Sequence, residues 1–256
     1  MNEEKIYYDS TDNIKLCGLL SKVNDSKKII ILCHGYGGNK LEKNSFTVLT
    51  EELINNNFNS FRFDFRSHGE SSGLDYEMTI SGEIDDLEST IKMLEEKGYN
   101  EFILLGASFG ASIISLIDYN KYKNVRALIS WYGALDYEAL ANTLFTNAKL
   151  EIAKKEGYYT RIKPNGKVTR MGLKLFDEIR EFNPIDNLSK LDLPVLFVHG
   201  TIDTSVPCEV SKRVSKVCKN STLKLIEGGW HTFDNSEEAL MEAVKETVKY
   251  IKNIFI

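Results

Sequence analysis

Cysteine is scarce in this chain. The four that occur, Cys17, Cys33, Cys208 and Cys218, form no Cys-x-x-Cys pair and no zinc-type spacing with a second cysteine or histidine. That argues against a disulfide-stapled scaffold and agrees with a reducing compartment. Cys33 lies inside an apolar run and reads as a small buried hydrophobe. Long apolar runs are missing too: none approaches the ~20 residues needed to cross a bilayer. Met1 to Ile6 lacks a basic segment followed by an apolar one, so no signal peptide is expected and the expected location is the cytoplasm. Positive charge is not in excess either. A net charge of −5 gives no footing for nucleic acid. There is no internal repeat, no low-complexity tract and no cluster suited to a metal, so neither a metal nor a cofactor is expected.

What is present is a chain of 256 residues, 42% hydrophobic and 27% charged, enough for one large domain with or without an insertion. Ile6–Tyr8 and Ile14–Leu20, joined by the polar turn 9–13, read as an antiparallel hairpin at a sheet edge. The apolar runs 29–33, 61–65, 102–105, 125–131, 193–198 and 223–226 read as buried strands. Stretches with apolar residues three and four apart, at 46–57, 79–97, 209–218 and 237–251, read as helices, with a further helix-like run at 111–117. Alternation of this kind requires crossover connections and a mostly parallel sheet covered on both faces. Residues 134–190 break the rhythm and are expected to form a cap inserted after the sixth strand. Residues 1–133 and 191–256 would then be the core.

One five-residue stretch organises the rest. Gly106-Ala107-Ser108-Phe109-Gly110 sits where a buried strand hands over to a helix. A serine there, flanked by glycines two places away, has the pattern of a nucleophile elbow: the sharp turn lifts the hydroxyl off the sheet at the positive end of a helix. Alone it could be an ordinary glycine-containing turn. Other residues at strand ends give it weight. His231, in Gly229-Trp230-His231-Thr232-Phe233, is the candidate base, and Asp203, in His199-Gly200-Thr201-Ile202-Asp203, the candidate acid. Asp136, just past the 125–131 strand, is a rival acid with less distinctive surroundings. The glycine-rich loop His34-Gly35-Tyr36-Gly37-Gly38 has no Gly-Lys-Ser/Thr ending and so is not a phosphate loop. Its Tyr36 amide, with that of Phe109, is the expected oxyanion hole. His34 is expected to brace the loop, and His68 to be solvated.

These pieces, together with Arg62-Phe63-Asp64-Phe65-Arg66-Ser67-His68-Gly69-Glu70-Ser71 and His34-Gly35-Tyr36-Gly37-Gly38-Asn39-Lys40, resemble the α/β-hydrolase superfamily over nearly the whole chain. Within it the chain looks most like small carboxylesterases of the cinnamoyl/feruloyl esterase type. The order Ser108, Asp203, His231 is the superfamily's. The resemblance implies a sheet of about eight strands, a cap over the pocket, and hydrolysis of small acyl or aromatic-acid esters. Two departures stand out: Ser67, where the family often has glycine, and Phe109, where it often has a polar residue, making the pocket floor more apolar. Tyr158, Tyr159 and Phe176 are candidates to line the pocket or to form the cap's own core. The cap stretch 149–180 is locally basic, with Lys149, Lys154, Lys155, Arg161, Lys163, Lys167, Arg170, Lys174 and Arg180. That fits either a solvated helical face or a preference for anionic substrates. Expected partners are a small ester substrate and no nucleic acid or membrane. Oligomeric state is not legible, a homodimer being one option. A serine peptidase or acylaminoacyl hydrolase is the alternative enzyme, and a non-catalytic binding protein the alternative class.

Overall fold

The computed structural model of the protein describes residues 3–162, 166 and 168–255. Strands β1 (Glu4–Asp9) and β2 (Lys15–Ser21) form the antiparallel hairpin, with Asn13 left-handed in its turn. Then β3 (Lys28–Cys33), α1 (Ser45–Asn55), β4 (Asn59–Asp64), α2 (Ile80–Glu96), β5 (Glu101–Ala107), α3 (Phe109–Leu116) and β6 (Val125–Trp131) alternate. Four helices and a small hairpin follow: α4 (Tyr137–Thr143), α5 (Asn147–Glu156), β7 (Tyr158–Ile162), β8 (Val168–Gly172), α6 (Leu173–Glu181) and α7 (Pro184–Lys190). The chain closes with β9 (Val195–Gly200), α8 (Glu209–Val217), β10 (Ser221–Ile226) and α9 (Glu237–Phe255).

Eight strands form one sheet in the order β1-β2-β4-β3-β5-β6-β9-β10. Only the β1–β2 and β2–β4 pairings are antiparallel; from β4 to β10 the sheet is parallel. The period of two explains why the central strands are apolar throughout. Ile29, Ile31, Phe102, Leu104 and Phe197 point to the face covered by α2, α3 and α8. Ile30, Leu32, Ile103, Leu105 and Val198 point to the other, where Leu49 and Leu53 of α1 and Val244, Val248 and Ile251 of α9 cover them. Strand β9 begins two residues later than its apolar run suggests. Pro194 has no N–H to give to the ladder, so pairing starts at Val195, whose amide donates to Asn220 O at 2.9 Å.

The chain order β3, β4, β5 places β4 and β5 on opposite sides of β3. Connections leaving the carboxyl ends of β3 and β5 therefore part in opposite directions, which opens a crevice there.

Between β6 and β9, α7 packs against α3 and α8 on the body of the protein, while the β7–β8 hairpin packs on the turn Asp75–Glu77. Lys163, Pro164, Asn165 and Lys167, at the tip of the expected hairpin, lie outside the described residues. A buried carboxylate ties this insert to the body. Glu178 of α6 accepts from the amides of Ile80 and Ser81 at 2.5 and 3.1 Å and from Ser81 Oγ at 2.6 Å. It supplements Thr79, whose hydroxyl caps α2 by accepting from the Gly82 amide at 2.9 Å. A negative charge at the start of a helix satisfies amides that have no helical partner and complements the helix dipole. Replacing Glu178 with alanine should cost about 2 kcal/mol, read as a lower urea midpoint with an unchanged slope. An unchanged midpoint would show that the insert is not fastened here.

Candidate active site

Parallel pairing sets Cys33 of β3 opposite Gly106 of β5. The loops that follow are consequently neighbours, and a Cβ built on Gly35 would stand 3.0 Å from Ser108 Cβ. The elbow's glycines have a steric cause. A Cβ on Gly106 would lie 2.4 Å from Gly110 O, and one on Gly110 would lie 2.3 Å from Cys33 O. Between them Ser108 takes φ 51°, ψ −114°, a backbone that side chains rarely adopt. Its amide donates to Trp131 O at 2.9 Å, and its carbonyl accepts from Ala111 and Ala134 at 3.1 and 2.9 Å. The strained turn is thus held from three sides.

The loop after β10 brings His231 to this serine. Its Nε2 lies 3.0 Å from Ser108 Oγ and its Nδ1 lies 2.7 Å from Asp203 Oδ2. The tautomer that satisfies both contacts carries its proton on Nδ1, donating to the carboxylate, and leaves Nε2 to accept from the hydroxyl. Asp203 is firmly held. Its Oδ1 accepts from the amides of Ser205 and Val206 at 2.8 and 2.9 Å, and His199 Nε2 stands 3.2 Å from Oδ2. Burial acts to raise the Asp203 pKa, but hydrogen bonds from His199 and His231 outweigh it and hold the carboxyl well below its usual range. His199, fully buried, is itself fixed between Ser211 Oγ and Val206 O. The edge of the Tyr132 ring rests on His231, with centroids 4.7 Å apart.

The glycine-rich loop after β3 presents its amides one by one. Gly35 N–H donates to Glu42 Oε2 at 2.9 Å, Gly37 N–H to His68 Nε2 at 3.0 Å, and Gly38 N–H to Gly35 O at 2.9 Å. Among the described residues, the Tyr36 amide has no acceptor, and neither does that of Phe109 at the start of α3. Two free donors therefore flank the serine, as an oxyanion site requires. His34 braces the loop from below: Nε2 accepts from the Phe65 amide at 3.1 Å and Nδ1 donates to Gly35 O at 2.8 Å.

With these features together, the sequence matches the family described as "Serine aminopeptidase, S33" over residues 24–171. The chain belongs to this family of hydrolases. Its fold is that of the α/β-hydrolases, as the resemblance implied. The uncharacterized protein YfhR of Escherichia coli O157:H7 is 25% identical over 238 residues, covering 89% of this chain and 73% of that protein. Among solved structures, Est1E from Butyrivibrio proteoclasticus with ferulic acid bound superposes with a TM-score of 0.78 at 25% identity, over 96% of this chain and 98% of that one. A putative hydrolase from Agrobacterium vitis S4 shares the fold, with a TM-score of 0.82 at 17% identity over 97% of this chain and 99% of that one.

Two expectations for this hydrolase need correction, those for His68 and for Phe109, and the other candidates fall into definite places. His68 is not solvated: its side chain is 9% exposed, and its Nδ1 donates to Arg66 O at 2.8 Å while Nε2 takes the Gly37 amide. Asp136 is far from His231's carboxylate partner role. It caps α4 through the Ala139 amide at 3.0 Å and pairs with Arg213 at 2.5 Å. Phe109 adds little apolar floor, because its ring is 3% exposed between Tyr36 and Tyr137. Phe176 is buried against Phe145 inside the insert, and Tyr158 stacks on Tyr76. Of the three pocket candidates, only Tyr159 lies on the hairpin face shared with Thr169 and Met171. Ser67 has φ 64°, the left-handed region that glycine enters freely, and its Oγ donates to Leu74 O at 2.8 Å. The carboxylates of Asp64 and Glu70 and the Cys17 thiol come together, but Lys40 Nζ bridges the two acids at 2.5 and 2.9 Å and takes the place a metal would need.

Sequence reasoning missed Glu42. It is 5% exposed, and it opens a run of three left-handed residues, Glu42, Lys43 and Asn44. Burial raises its pKa, against the pull of the Gly35 amide and the nearby His231. Tyr132 OH, 3.4 Å away, donates to its other oxygen. The only available signal was an acid four residues past a Gly-rich turn, which is too common to read. Glu42→Ala should leave the Gly35 amide unpaired and cost about 1–3 kcal/mol in urea denaturation. Glu42→Gln, which keeps an acceptor, should cost less; equal losses would contradict the hydrogen-bond account.

Proposed function

We propose that this hydrolase cleaves carboxylic esters of small acyl or aromatic acids by a serine mechanism. The observation that carries the reading is the unbroken chain Ser108 Oγ, His231 and Asp203, at 3.0 and 2.7 Å, beside two unpaired amides. His231 Nε2 takes the hydroxyl proton as Ser108 Oγ attacks the ester carbonyl, and the new oxyanion is held by the Tyr36 and Phe109 amides. The tetrahedral intermediate collapses as His231 returns the proton to the departing alcohol oxygen. That leaves an acyl-serine. Water, deprotonated by His231, then attacks the acyl carbon and releases the acid and the free serine. Asp203 keeps the imidazole in the required tautomer and stabilises its cationic form. The similarity to Est1E, whose structure holds ferulic acid, supports an aromatic acid as one acyl group.

The family's description raises the second reading, an aminopeptidase. A substrate's free amine needs an acid to receive it. Near this site Asp75 is engaged with Arg170, Glu42 with the Gly35 amide and Glu178 with α2, while Glu83 is buried beside His68, where burial raises its pKa against carrying a charge. That favours the ester.

Ser108→Ala should lower kcat on a p-nitrophenyl ester by about 10³-fold or more, with the thermal transition retained. Undiminished turnover would exclude the assignment. Asp203→Asn, which favours the wrong tautomer, should lower kcat by about 10³–10⁴-fold with a much smaller change in KM. A set of acyl, hydroxycinnamoyl and aminoacyl amide substrates separates the two enzyme readings: faster amide cleavage would replace the esterase.

A further inference from the structure

We propose that the β7–β8 hairpin carries an anion subsite centred on Arg161, so that the preferred ester bears a second, free carboxylate. The inference rests on the esterase reading for its substrate but not for its binding site. Arg161 pairs with Thr169 across the hairpin, and residues directly opposite in an antiparallel ladder share a face. Thr169 is 7% exposed and lines a cavity of about 100 Å³ with Tyr36, Gly37, His68, Asp75 and Met78. Register therefore puts Arg161 on the same hairpin face as Thr169, next to this cavity's lining and not part of it. Its charge is felt there: burial pushes the Tyr36 phenol upward, Arg161 opposes the push, and the acids Asp75 and Glu83 add to it.

Arg161 differs from the chain's other arginines. Arg62, Arg66, Arg126, Arg170 and Arg213 each have an acidic partner, and Arg180 donates to the carbonyls of Phe145 and Phe176. Among the described residues, half-buried Arg161 has no side-chain partner. A second cation stands on the same side. Lys149 Nζ lies 5.7 Å over the ring of Tyr159, the next residue along that hairpin face, and donates to Leu144 O at 2.8 Å. Its pKa is lowered by burial and by Arg161, so the two cations feel one another. The acid on the cavity wall, Asp75, is paired with Arg170 at 2.9 Å. Two cations close enough to interact are stabilised by an incoming carboxylate, and a guanidinium offers it a planar two-pronged donor. The cavity has room for a carboxylate and about one or two methylenes, given roughly 30 Å³ for a water.

The test compares mono-p-nitrophenyl adipate with p-nitrophenyl hexanoate, which differ in the terminal carboxylate. Wild-type protein should favour the adipate ester in kcat/KM. Arg161→Gln should cut that preference by about tenfold or more through KM, and Arg161→Lys should restore part of it. A preference unmoved by Arg161→Gln, in a variant with a normal melting transition, overturns the proposal. Adipate binding to the Ser108→Ala protein by calorimetry does not depend on catalysis. Binding weakened tenfold by Arg161→Gln supports the subsite even if neither ester is turned over, and binding indifferent to Arg161 refutes it.

Discussion

Everything at this site depends on how closely the start of α3 approaches the end of β3. Gly110 rides over the carbonyls of Cys33 and His34 with no space for a side chain, and Gly106 lies as tightly beneath Gly110. The contact fixes two things together. It sets the elbow's height above the sheet, and it brings the glycine-rich loop alongside Ser108. Ser108 adopts a backbone of a kind that costs about 1–3 kcal/mol, which persists only because the surrounding packing determines it.

Around that contact lies a shell of buried polar groups, each with a definite partner. Glu42 holds Gly35, His68 holds Gly37, and His34 joins Gly35 to Phe65. The loop bearing His68 is in turn anchored by Arg66, whose guanidinium binds buried Asp86 and reaches Asp12. Such networks are costly unless fully satisfied, and once satisfied they select a single arrangement. Here they engage the neighbouring amides and leave the Tyr36 amide free. The loop's chemistry thus follows from where its other donors are spent.

Much of this was legible beforehand because it depends on local pattern. Continuous apolar runs marked the parallel strands, and the residues singled out for catalysis stand at strand ends, where an open parallel sheet gathers them. Other features depend on contacts between distant residues. No spacing rule links His68 to the Gly37 amide or Glu178 to the start of α2. Glu42 works only through a three-residue left-handed run that no glycine announces. Phe176 and Tyr159 look alike in sequence as aromatic residues of the insert. Packing sends the first into a core against Phe145 and leaves the second on a hairpin face beside a cation.

The central claim is that Ser108, activated by His231, is the nucleophile. Reaction with diethyl p-nitrophenyl phosphate followed by peptide mass mapping tests it most directly. The account predicts one equivalent of p-nitrophenol and a single phosphoryl adduct on the peptide containing Ser108, both abolished in His231→Ala. An adduct on another residue, or full labelling without His231, would contradict it.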